Sequence, residues 1–118
     1  MFKILETAVD SVIEMEVEGE VTAEDYEVLE EAIKDKLKET DQVNILCRVK
    51  ELSKITAQAI LEDFKLGVKH YKNIGKIAVV SSEDWTEWIT KLSAILPVES
   101  KHFDTEEIDE AWSWVKNE

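Results

Sequence analysis

The chain has 118 residues, 44% of them hydrophobic and 35% charged, with one proline, three glycines and a formal net charge of -13. That is the size of one compact domain able to bury about two-thirds of its extended-chain surface, and no apolar run approaches the roughly 20 residues of a membrane-spanning helix. The charge is uneven: residues 1–41 hold 14 acids against 4 bases and residues 42–118 hold 13 against 10, a field that repels nucleic-acid backbones and anionic headgroups.

Phe2 to Leu5 reads as a short strand, joined by a brief connection to Val12–Glu18, where apolar and acidic residues alternate. The alternation places Ile13, Met15 and Val17 on one face and Glu14, Glu16 and Glu18 on the other, and the two strands are expected to pair antiparallel. Thr22 then caps a helix over about 23–39, with Tyr26, Leu29, Ile33 and Leu37 on its buried stripe. Val43, Ile45, Cys47 and Val49 form one face of a third strand, with Asn44, Leu46, Arg48 and Lys50 on the other. Thr56 opens a second helix carrying Ile60, Phe64, Val68 and Tyr71 inward.

Lys76 to Val80 is a continuous apolar run of the kind found in a central strand covered on both sides. Ser81 or Ser82 caps a third helix, in which Trp85, Ile89, Leu92 and Leu96 line the buried stripe until Pro97 ends it. Val98 to Phe103 is a last strand, and Asp104 caps a terminal helix burying Ile108, Ala111, Trp112 and Val115. The order ββαβαβαβα predicts an α/β domain with a mixed, mostly parallel five-stranded sheet. Right-handed crossovers place about four helices largely on one face, leaving the other partly open to water. If the second and third strands are neighbours, Glu14, Glu16 and Glu18 face Arg48 and Lys50 as cross-strand partners.

Gly19-Glu-Val-Thr-Ala-Glu-Asp-Tyr26, Ile77-Ala-Val-Val80 followed by Trp85, His102-Phe-Asp-Thr-Glu-Glu and Ala111-Trp-Ser-Trp114 together resemble the SpoIIAA-like proteins over nearly the whole chain. The resemblance implies the STAS fold of anti-sigma-factor antagonists, related in architecture to the CRAL-TRIO lipid-binding domains, and it implies no catalytic residues. In the antagonists a phosphorylated serine sits in an Asp-Ser-Ser-Gly sequence at the start of a helix. The matching region here is Glu51-Leu-Ser-Lys-Ile-Thr-Ala-Gln58. Ser53 and Thr56 keep hydroxyls there, but the aspartate and glycine are absent, and Thr56 also reads as an ordinary helix cap.

No phosphate-cradling glycine motif is present, and His70 and His102 lack the spacing of a helical zinc site, so neither cofactor nor metal is expected. Cys47 falls at an inward strand position, where free cysteine acts as a small hydrophobe. Being the lone cysteine, it points to a reducing compartment. With no export pattern over Met1–Asp10, the expected location is the cytoplasm. The tryptophans are the open feature: Trp85 and Trp112 fit apolar stripes, Trp88 lies beside one and Trp114 falls off one. Trp85, Trp88 and Trp114 are therefore the candidate contacts for a ligand or partner. The expected function is a non-enzymatic binding or regulatory module working through protein contacts or self-association. A small carrier of an apolar or lipid-like ligand is the alternative, and an enzyme with a site built from scattered residues the third.

Overall fold

The computed structural model describes residues 2–5, 11–19, 22–50, 73–83, 85, 89–90, 94 and 98–116. The described elements are β1 (Phe2–Leu5), β2 (Val12–Glu18), α1 (Ala23–Leu37), β3 (Val43–Lys50), β4 (Ile74–Val80), β5 (Glu99–Phe103), a 3-10 turn at Thr105–Glu107 and α2 (Ile108–Lys116). The five strands lie in sequential order, β1-β2-β3-β4-β5. β1 runs antiparallel to β2, with Phe2 opposite Val17 and Leu5 opposite Glu14; the remaining pairs are parallel. Gly19 follows β2 at a φ of 64°, the left-handed conformation that glycine enters without a Cβ penalty.

Alternation along the strands divides the core between two faces. On one, Ile13, Met15, Val17, Ile45, Ile77 and Val79 pack with Tyr26, Leu29 and Ile33 of α1. On the other, Val12, Leu46, Ala78, Val80 and Phe103 pack with Ala111 and Val115 of α2. Two α-helices, rather than about four, have their bounds among the described residues, and they lie on opposite faces of the sheet; Ile89, Thr90 and Ala94 are helical as well. The helix expected from Thr56 lies outside the described residues, as does most of the one expected after Ser81. The expectation of helices largely on one face fails at α2. The handedness rule constrains a helix that connects two parallel strands; α2 follows the last strand, connects to none, and is directed by the apolar groups it covers. The fully apolar run in β4 requires such a cover on the second face.

The rest of the second face is polar. Glu14, opposite Leu46 in register and buried, receives the Arg48 guanidinium at 2.7 Å. Lys50 lies 3.7 Å from Glu16. These are the cross-strand charge pairs expected of parallel neighbours β2 and β3, and they let acidic residues occupy a sheet face without a run of like charge.

At the start of α1, Asp25 holds three donors: the Thr22 N–H at 2.7 Å, the Thr22 hydroxyl at 3.2 Å and the Phe2 N–H at 3.1 Å. One carboxylate thus caps the helix and ties edge strand β1 to it. Burial works against its ionisation, but the N–H groups of Thr22 and Phe2 outweigh that and hold the carboxyl below its ordinary value. A folded-state value below the unfolded one stabilises fully above the unfolded pKa, about 3.9, and loses that contribution as pH falls through the folded value. Asp25→Ala is expected to lower stability by about 1–2 kcal/mol at pH 7. In urea unfolding followed by circular dichroism, the gap from the parent protein should close as pH drops below about 4.

Candidate functional site

Asn44, buried near the start of β3, has its side chain bonded at both ends. Between the pairs Val43↔Ile74 and Ile45↔Ile77 the register shifts, so β4 carries one residue more than β3 at Gly75–Lys76. A bulge of this kind breaks the backbone ladder locally. The Asn44 side chain bridges it, its Oδ1 accepting the Lys76 N–H at 2.9 Å, while its backbone N–H donates on the β2 side to the Ser11 carbonyl at 2.7 Å. Its Nδ2 then donates to the Val115 carbonyl at 2.6 Å, satisfying one of the carbonyls left open at the end of α2. Gly75 leaves room for that carboxamide, because a Cβ there would stand 2.8 Å from Asn44 Oδ1 and 3.2 Å from Gln42 Oε1.

Lys76 closes the same helix end. Its ammonium donates to the Trp114 carbonyl at 3.1 Å and lies 5.2 Å from the centre of the Trp114 ring, a cation placed at the negative end of a helix and over an aromatic face. Trp114 also packs on Phe103, with ring centres 5.9 Å apart and planes at 55°. Half-buried Trp114 therefore leans from α2 over β4 and β5. Since α2 advances about 100° per residue, Trp112, two residues earlier, lies on the opposite flank.

At the carboxyl end of β4, Ser81 is buried and its Oγ accepts the Glu83 N–H at 3.2 Å. Ser82 and Glu83 form a bend and Trp85 is not helical, so this bond closes a turn at the strand exit, and the helix cap expected of Ser81 or Ser82 is not made by Ser81. Its N–H donates to the Phe103 carbonyl at 3.0 Å, and its own carbonyl lies 2.9 Å from His102 Nε2. His102 thereby fastens the exit of β4 to β5. Cys47 is half-buried against the α1-side core, and burial pushes its thiol up to about 12, which disfavours the thiolate at neutral pH.

The sequence-derived contact residues do not converge. Trp85 is 6% exposed within the α1-side core, and Trp114 stands on the opposite face; Trp88, Ser53 and Thr56 lie outside the described residues. Asn44 and Lys76 escaped the sequence reading as a linked pair. The available signal was an asparagine on the same strand face as Leu46, and a lysine beside a glycine at the head of an apolar strand. Among the described residues no group of three His, Cys, Asp or Glu side chains could hold a metal ion.

With this geometry the relatives fall into place. The family model for SpoIIAA-like proteins matches residues 12–116. The chain belongs to the SpoIIAA-like family. Among solved structures, a similar one is that of an uncharacterized DUF3478-family protein with a SpoIIAA-like fold from Shewanella loihica PV-4. It is 26% identical, with a TM-score of 0.64, over 98% of this chain and 92% of that one. No curated protein matches the chain.

Two outcomes check the Asn44 assignment. Asn44→Ala leaves the Lys76 N–H and the Val115 carbonyl without their side-chain partner, and should cost about 2–4 kcal/mol. Gly75→Ala should also destabilise the parent, but much less in the Asn44→Ala background, because its collision is with the Asn44 carboxamide; a double-mutant cycle reads the coupling. For half-buried Cys47, a thiol reagent at pH 8 should label the native protein more slowly than the urea-unfolded protein.

Proposed function

We propose that this SpoIIAA-like domain is a non-enzymatic binding or regulatory module that works through protein contacts. The observation that carries the reading is that the chemically capable side chains among the described residues serve structure. Cys47 is a half-buried thiol packed against the core, the Ser81 hydroxyl accepts a backbone N–H, and His102 is bonded to the Ser81 carbonyl. A general base or nucleophile must reach a reacting atom with the right proton inventory, and these groups are spread over separate bonding duties.

The carrier alternative has less support. The buried members of the two sheet-face clusters are 0–7% exposed, so this apolar surface is used as core between the sheet and the described helices. No helix among the described residues is long and apolar enough to cross a membrane. A cytoplasmic setting agrees with the single cysteine kept as a core thiol.

Affinity capture from the native cell extract tests the reading. A saturable protein partner is expected, retained equally by the parent, Cys47→Ser and His102→Gln. Turnover of any substrate that either substitution abolishes would contradict it.

A further inference from the structure

The outward stripe of α2 reads Glu110, Ser113 and Lys116, an acid, a small residue and a base at spacings of three. Ala111 and Val115 are buried against the sheet. At about 100° per residue Ser113 points directly away from them, with Glu110 and Lys116 on either side of it. All three are exposed, and among the described residues none of their side chains has a hydrogen-bond or ion-pair partner within the chain. Half-buried Trp112 and Trp114 form the two shoulders of this stripe.

Charge decides which face of the molecule can meet a copy of itself. α1 carries six carboxylates against two ammoniums, so two α1 surfaces repel each other. α2 carries two acids and one base, and its outward stripe becomes complementary to itself when reversed. We infer that α2 packs antiparallel on α2 of a second copy of this chain, about a two-fold axis at Ser113.

The two-fold sets each residue opposite the one equally far beyond Ser113. Glu110 of each copy therefore stands opposite Lys116 of the other, and Trp112 opposite Trp114. The serine at the crossing point lets the two backbones approach, and the indole edges left open beside each helix cover one another along the seam. A parallel pairing would set Glu110 against Glu110 and Lys116 against Lys116, so charge selects the orientation as well as the partner. Asp109, the other acid of α2, falls opposite the position after Lys116, past the end of the helix. Because α1 lies on the opposite face of its sheet, the two acidic helices end up on the far sides of the dimer, away from the seam.

A pair of nine-residue helices buries less than a standard interface of about 1,600 Å², so the dimer is weak and concentration-dependent. This inference rests on the contact-making reading and names one partner for it. Light scattering from about 1 µM to 1 mM should show a monomer–dimer equilibrium. Glu110→Lys alone or Lys116→Glu alone should weaken it about tenfold. An equimolar mixture of the two variants, and the double reversal, should each restore it. Both substitutions oppose the dipole of α2, and the double reversal opposes it most, so recovery there reports pairing between copies rather than helix stability. Opposed Cα atoms of helices about 10 Å apart lie about 5 Å from each other, within disulfide reach. Ser113→Cys in a Cys47→Ser background should therefore cross-link under mild oxidation, with a lower yield once Glu110→Lys is added. A monomer throughout, a dimer indifferent to both single reversals, or a mixture of the two variants that stays monomeric overturns the inference. Capture of a different protein in the affinity experiment would in that case leave the contact-making role intact and the self-pairing refuted.

Discussion

The structure depends on one side-chain amide. Asn44 sits where β4 has gained a residue against β3, and its carboxamide bonds a strand N–H with one end and a helix carbonyl with the other. Without it, a buried donor and a buried acceptor would each lose the partner that burial demands. The same group thus bridges the central strand pair at its bulge and ties α2 to the sheet. Gly75 follows from it, because no side chain fits against the carboxamide. So does Lys76, whose ammonium completes the cover over the last carbonyls of the helix.

Docking α2 on the second face has a consequence for function. Sheet positions that would otherwise offer an open apolar platform at Val12, Leu46, Ala78 and Val80 are used as core. What remains of that face is the ladder of Glu14–Arg48 and Glu16–Lys50 pairs, which is internally neutralised and therefore a poor lure for ions. Among the described residues Val28 is the large hydrophobic that is exposed, at 48%, and a single such side chain is ordinary for a soluble surface. Among the described strands, β1 and β5 form the two edges of the sheet.

Much of this architecture was legible in the sequence because two periodicities carried it. The strict alternation of Val12–Glu18 gave both faces of β2, and with the third strand's Arg48 and Lys50 it gave the ion-pair ladder. Thr22 and Asp104 were readable as helix starts from their position before the helical period, whereas Ser81 is followed by a bend at Ser82 and Glu83. The bulge at Gly75–Lys76 was not readable, since Ile74 and Ile77 lie on one face at a spacing of three, which period-two reasoning assigns to opposite faces. The side of the sheet taken by α2 was hidden for another reason: it follows from which face lacks a cover, a property of the assembled sheet rather than of residues 108–116. Trp114 read as an off-stripe indole for the same reason. Its surroundings, Phe103 and Lys76, come from strands far away in the chain.

Native-state hydrogen exchange on Asn44→Ala bears most directly on the role given to this amide. The account predicts that amides of Ala111 to Val115 lose most of their protection while those of β2 keep theirs, because the helix loses its tether and the sheet loses one bond at a bulge. Unchanged protection in α2, or an equal loss spread over α2 and every strand, would contradict it.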